Sequence, residues 1–304
     1  MSTPSATKQN SADRIFTLTS GEPSGVREAL KEHGAIVIRA GASLGDFENL
    51  SEQLITPIVH HSTSTTVERD VVNSDGTTST VNKGMDYIPL HREGSYAPVC
   101  PDLLMLYCVR PAEEGGGGQT TLCDGVALLN ALPEKTKKFV TDAILRWSWS
   151  ATPERWMAAL GVDSQDAALP RLDMMKSRLQ SYEKLDANFE GDTLNGVFQT
   201  LCVIPTRWGG KRSFCNSLLI YHYRQATDFY PKHMYVPTMG DGSPFPSDIL
   251  EEISILAGER THSTNWQAND ILIFDNSRYM HGRTGFTDTR RQIFVRMGHV
   301  KRES

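Results

Sequence analysis

The chain of 304 residues carries 31 Lys and Arg against 36 Asp and Glu, a formal net charge of −5, with 39% hydrophobic residues. This length supports one large core or two small ones, and with no basic tract interleaved with aromatics a nucleic-acid partner is excluded. No stretch approaches the ~20 apolar residues of a membrane span, and five cysteines without CxxC spacing read as reduced thiols of a cytoplasmic protein.

The opening MSTPSATKQNSADR is polar and lacks an apolar segment, so residues 1–14 are expected to be a flexible tail. VREALKEH has helical periodicity and stops at Gly34, a residue suited to the left-handed position after a helix. AIVIRA (35–40) then reads as a short buried strand. Ser43, with Asp46 three residues later, forms a capping-box pattern opening a helix through about Ile58. A strand followed by a helix also begins nucleotide-binding sheets, but no glycine fingerprint joins the two here. Residues 61–84 are rich in Ser, Thr and Asn with one Asp-Gly turn, and read as strands or a mobile loop, a candidate lid.

IPLH leads like a strand into His91-Arg92-Glu93, and Gly94-Ser95 breaks the pattern. LLMLYCVRPA (103–112) is a strong apolar strand ending at Pro111. The loop EEGGGGQTT follows, and LCDGVALLNALP leads into a helix. Residues 127–187 read as a mainly helical insertion around the Trp-rich RWSWSATPERW, whose Trp147, Trp149 and Trp156 are expected in its core. Strand signals return at DTLNGVFQTLCVIPTRW and SFCNSLLIYHY, then a helix at 247–258 and strands at 271–276 and 293–300. Antiparallel strands at both ends of the chain with helices between them predict a single α+β domain on a β-sandwich or barrel, spanning 1–304, rather than an alternating βαβ sheet.

A redox iron site needs two imidazoles and one carboxylate on one face of an octahedron. His91 and Glu93 supply two of these, since residues i and i+2 of a strand point to one side. One such pair is roughly what chance provides at average composition, so the partners decide its meaning. His281, after the buried ILIFD and at the start of a Gly-containing turn, is the third candidate. Arg290 and Arg291 begin the last strand and Arg296 lies within it. A guanidinium there is costly to bury without an anion, and it suits a bidentate grip on a carboxylate. Thr120, just after the glycines, offers a second contact to the same carboxylate; the glycine run itself lacks the phosphate-loop pattern.

His91-x-Glu93, GGQT ending at Thr120, and DNSRYMHGRTGF with its following arginines resemble, in their order, the taurine dioxygenase-like iron(II)/2-oxoglutarate enzymes. The resemblance covers the chain from about Ile88 onward, without a motif in the middle segment. It implies a double-stranded β-helix (jelly-roll) core and iron(II) held by His91, Glu93 and His281. It also implies 2-oxoglutarate and O2 as cosubstrates, with Thr120 and an arginine on the far carboxylate of 2-oxoglutarate. Glu in place of Asp is similar to the clavaminate synthase-like branch, which includes amino-acid hydroxylases, and it argues against a halogenase, where Gly or Ala opens a chloride position. The family's two arginines four apart are here five apart. Arg291 is the favoured carboxylate ligand and Arg296 the inward alternative, with Ile293, Val295 and Met297 then facing outward. Tyr96, Ser95, Asn82 and Arg207 are candidate substrate contacts. The implied activity is hydroxylation or desaturation of a small polar substrate, an amino acid or related carboxylate or amine, with release of succinate and CO2. A two-histidine, one-carboxylate zinc hydrolase and a non-catalytic 2-oxoglutarate sensor are the alternatives.

Overall fold

A computed structural model describes residues 15–59, 69–81, 83–226 and 236–302. The expected tail 1–14, Asn82 and residues 61–68 of the candidate lid lie outside the described residues.

The apolar run LLMLYCVR is buried on both faces, and its strand, Leu103–Arg110, is central to the larger sheet. That seven-stranded sheet runs Phe16–Leu18, Ala35–Ile38, Ile271–Asp275, Leu103–Arg110, Gln292–Val300, Ile55–Pro57, with Ser79–Thr80 also paired to Gln292–Val300. Alternation along the strand sorts its side chains. Leu103, Met105 and Tyr107 pack outward with Ile36, Ile38, Ile271 and Ile273 against the helices Pro23–His33 and Leu44–Leu54, through Val26, Leu30, Phe47 and Leu50. Leu104, Leu106 and Cys108 pack the other way with Leu272, Phe274, Ile293, Val295, Met297 and Leu122. Leu122 belongs to a second, four-stranded antiparallel sheet ordered Thr261–Ser263, Thr120–Asp124, Tyr279–Arg283, Ile88–His91. The space between these two sheets holds the candidate site.

Both expected helix signals in the N-terminal region are present. Gly34 sits at φ 75° and its N–H donates to Leu30 O. Ser43 and Asp46 form the reciprocal capping box. That helix ends at Leu54 rather than Ile58: Ile55 is already extended and Ile55–Pro57 pairs with the end of the last strand. Pro57 has no N–H to continue a helix.

Two further segments differ from expectation. RWSWSA is part of a strand, Ile144–Ala151, in a third sheet ordered Thr238–Met239, Ile144–Ala151, Thr193–Leu201, Lys184–Glu190. Helices still cover much of 127–187, but this strand divides them. Trp147 is buried in the large cluster and Trp156, on the helix Pro153–Leu160, in a small one. LLIYHY is a helix, Leu218–Ala226, entered where the Asn216 side chain accepts a hydrogen bond from Leu218 N–H. Leu218, Leu219, Ile220 and Tyr221 are all buried, and an apolar run without polar positions carries no period to separate strand from helix. No helix of the described residues is long and apolar enough to cross a membrane.

Candidate active site

His91 ends the strand Ile88–His91, and His281 lies directly opposite it within Tyr279–Arg283 rather than in a turn. Their ring centroids are 4.2 Å apart. Glu93 lies just beyond the strand, in a turn whose backbone is clamped by Asn276. The Asn276 Oδ1 accepts from Glu93 N–H at 3.0 Å, and its Nδ2 donates to Glu93 O and Pro101 O. One Glu93 oxygen stands 3.9 Å from His91 Nε2 and 3.7 Å from His281 Nε2. One ligand atom from each of the three residues fits within 4.8 Å. These gaps exceed a hydrogen bond, and one ion with bonds of ~2.1 Å can bridge them.

The protonation states suit a metal. His91 Nδ1 lies 2.9 Å from Pro89 O, which places its proton there and turns the Nε2 lone pair toward Glu93. Burial, then His91, push His281 well below the ordinary imidazole value. Burial opposes charge on Glu93, yet Arg69, His91 and His281 together hold its carboxyl far below the usual carboxylate range. The Arg69 guanidinium is 3.5 Å from the same Glu93 oxygen. His281 Nδ1 is buried without a hydrogen-bond partner among the described residues.

Beside the triad lies a small cavity of about 50 Å³, with Leu104, Leu106 and Val295 on its apolar side and Thr120, Arg283 and Arg291 on its polar side. Arg291 Nε donates to Gly118 O at 2.7 Å, and its guanidinium stacks 5.1 Å from the Phe286 ring. Burial, then the neighbouring Arg283, push Arg291 down to about 10. Arg283 sits opposite Thr120 in register and donates to Gly84 O and Asp86 O. Two guanidiniums around one cavity form a place for an anion, since each lowers the cost of holding it. The glycines make this possible. A Cβ on Gly117 would lie 2.1 Å from Gly285 O, and one on Gly118 would lie 2.5 Å from Arg291 Cδ.

Arg296 is on the other face of the sheet, 1% exposed. It donates to Glu48 O and Thr77 Oγ1 and pairs with Glu52 at 3.6 Å and Asp75 at 3.9 Å. The inward alternative for Arg296 is therefore wrong, and Ile293, Val295 and Met297 face the inter-sheet core instead of outward. A register shift between Gln292 and Ile293 separates Arg291 from the regular strand and lets it reach the cavity. Arg290 is at the surface with Asp288 and Glu113.

The substrate candidates are mostly displaced from the cavity. Ser95 is buried, and its hydroxyl donates to Ser217, which donates to Arg92 O, so it closes the turn. Tyr96 packs against the large cluster, its hydroxyl pushed up by burial and then by Glu93. Arg207 pairs with Asp102 and lines a different cavity. Arg69 and Arg283 were not expected at the site. Arg69 carries no signal in the sequence around it, whereas Arg283, two residues after His281, could have been found by the same-face rule that joined His91 to Glu93.

The sequence model of the Taurine catabolism dioxygenase TauD, TfdA family matches residues 13–297. The 3-((Z)-2-isocyanoethenyl)-1H-indole synthase of Fischerella ambigua is 22% identical over 201 residues, 66% of this chain and 58% of its own. A clavaminate synthase-like protein of Arabidopsis thaliana is 24% identical over 219 residues, 68% of this chain and 63% of its own. The chain thus spans about three fifths of the length of these relatives. In fold it is similar to a taurine dioxygenase from Burkholderia xenovorans, with a TM-score of 0.56 at 16% identity over 96% of this chain and 83% of that one. It is likewise similar to PvcB from Pseudomonas aeruginosa, with a TM-score of 0.54 at 13% identity over 99% and 100%. These neighbours share an α+β fold with it. With a family match running from residue 13 to residue 297, the chain belongs to the TauD/TfdA dioxygenase family.

Proposed function

We propose that this protein is an iron(II)- and 2-oxoglutarate-dependent oxygenase that oxidises a C–H bond of a small carboxylate-bearing substrate, on a double-stranded β-helix core formed by the two facing sheets. The observation that carries the reading is the convergence of His91, Glu93 and His281 within 4.8 Å beside a cavity lined by Thr120 and Arg291. Two imidazole nitrogens and one carboxylate are the donor set of the facial triad used by non-haem iron(II) oxygenases. Iron(II), when bound there with 2-oxoglutarate and O2, supplies the oxidation, with succinate and CO2 as coproducts.

The residues of the chain do the rest. Asn276 fixes the Glu93 backbone, so the carboxylate stays opposite both imidazoles. Arg291, oriented by Gly118 O and Phe286, and Thr120 hold the far carboxylate of 2-oxoglutarate. Leu104, Leu106 and Val295 keep water from the inner side of the cavity. Arg69 restrains Glu93 and presents a cation to the substrate carboxylate. Hydroxylation is the outcome we assign; desaturation of the same C–H needs only a different placement of the substrate. Beyond the triad itself, the polar groups lining the cavity are Arg69, Thr120, Arg283 and Arg291, a set of cations and one hydroxyl without the carboxylate or free imidazole that a zinc hydrolase would use as general base.

Succinate release, measured with iron(II), 2-oxoglutarate and O2 against amino acids and related acids, tests this. A substrate-dependent rise is expected with a free carboxylate and not with its amide, and Arg69→Ala should raise KM more than it lowers kcat. Equal turnover of acid and amide would contradict the substrate class. Binding of 2-oxoglutarate without succinate release on any member of the panel would favour a sensor.

A further inference from the structure

A second, larger cavity belongs to neither the triad nor its polar wall. About 660 Å³ in volume, it is lined by Arg92, Arg178, Arg207, Tyr182 and Glu183 among others, and shares no residue with the cavity beside His91. The turn that begins at Arg92 separates the two: Glu93 serves the triad and Arg92 the larger cavity. Three guanidiniums here face two carboxylates. Asp102 is committed to Arg207 and to Val300 N–H, and Glu183 accepts from Gln180 N–H. The Arg92 guanidinium has no hydrogen bond or ion pair among the described residues, and its Nε is buried. That Nε has nothing to receive its proton, a cost that an oxyanion in the cavity would relieve. Arg178, exposed and lining the same cavity, supplies a second guanidinium. Val99, Pro101 and Pro205 add apolar surface for an organic body. The volume falls in the range of small-molecule sites, ~300–1,000 Å³.

We infer that this cavity is a second ligand site, taking a small organic anion with at least two oxyanion groups, carboxylate or phosphate, gripped between Arg92 and Arg178. The two sources share the planar guanidinium contact, so citrate and pyrophosphate are the probes.

Calorimetric titration of the full chain with each probe should give saturable binding with at least one, and the tighter probe tells carboxylate from phosphate. Arg92→Gln and Arg178→Ala should each weaken it about tenfold or more, and Arg291→Met should leave it unchanged. Arg178 is exposed, so its variant folds independently of any role Arg92 has beside Glu93. Saturable binding by neither probe, binding unchanged in Arg178→Ala, or binding lost in Arg291→Met would each overturn the inference; the last would place the anion beside the triad instead.

Discussion

Replacing Gly118 by alanine should damage 2-oxoglutarate binding, whereas the same change at Gly115 should not. Both glycines are left-handed, at φ 75° and 77°, so an alanine at either carries a backbone penalty of ~1–2 kcal/mol. Around Gly115 an added Cβ meets nothing within 4 Å, and the penalty is the whole effect. At Gly118 the Cβ would lie 2.5 Å from Arg291 Cδ and 2.7 Å from its Nε. Arg291 must then move and give up its 2.7 Å bond to Gly118 O. A hydrogen bond from a charged donor contributes ~1.5–3 kcal/mol, so displacing the guanidinium from its aim should weaken 2-oxoglutarate about 10- to 100-fold. Urea unfolding measures the shared penalty, and anaerobic calorimetry of 2-oxoglutarate with the iron(II)-loaded protein measures the difference. Equal affinities in the two variants would refute the assignment of Arg291 to the cosubstrate carboxylate.

Arg296→Ala should lower stability by roughly 2–4 kcal/mol, as truncating a large buried side chain does, while 2-oxoglutarate affinity stays unchanged; a fall in affinity on calorimetry would return Arg296 to the site. Gly282→Ala should abolish tight metal binding, because its Cβ would lie 2.4 Å from Ile88 O and 2.9 Å from Thr121 Oγ1, forcing apart the strands that align His91 with His281; metal titration checks it, and full retained affinity would contradict the strand-register argument. The metal-free protein should lose stability as pH falls from neutrality. The unfolded chain protonates His281 near pH 6.5 while the folded one resists, and it protonates Glu93 near 4.5 before the folded one does. In both windows the unfolded state binds more protons, so the slope is toward instability in acid, by up to ~1.4 kcal/mol per pH unit for each proton. His281→Gln should remove the part that begins near pH 6.5, and a urea-unfolding pH series identical to that of the unsubstituted protein would contradict it.

Much of this fold is written locally. Gly34, the Ser43–Asp46 box and the runs LLMLYCVR and ILIFD each specify their element by short-range sterics and hydrogen bonding, and the structure has them where the residues predict. RWSWSA and LLIYHY do not: tryptophans and continuous apolar runs suit a strand or a buried helix equally, and only the packing around them decides. At the site, His91, Glu93 and His281 converge although two of them sit on other elements than their neighbours suggest: Glu93 in the turn after the strand, His281 within a strand. Arg291 and Arg296 were not separable, since the register shift at Gln292 that sends one inward and the other to Glu52 and Asp75 arises from pairing with Leu103–Arg110. Arg69, which has no signal in the sequence, and Arg207, a substrate candidate that instead pairs with Asp102, are both placed by tertiary contacts from irregular segments.

The central claim is that His91, Glu93 and His281 hold an iron(II) ion to which 2-oxoglutarate chelates. Its most direct test is the visible absorption spectrum under strict anaerobic conditions, with iron(II) added first and 2-oxoglutarate second. The unsubstituted protein should develop the broad charge-transfer band of a chelated keto acid, and folded His281→Ala should not. No band in the folded unsubstituted protein, or a band unchanged in His281→Ala, would contradict the account.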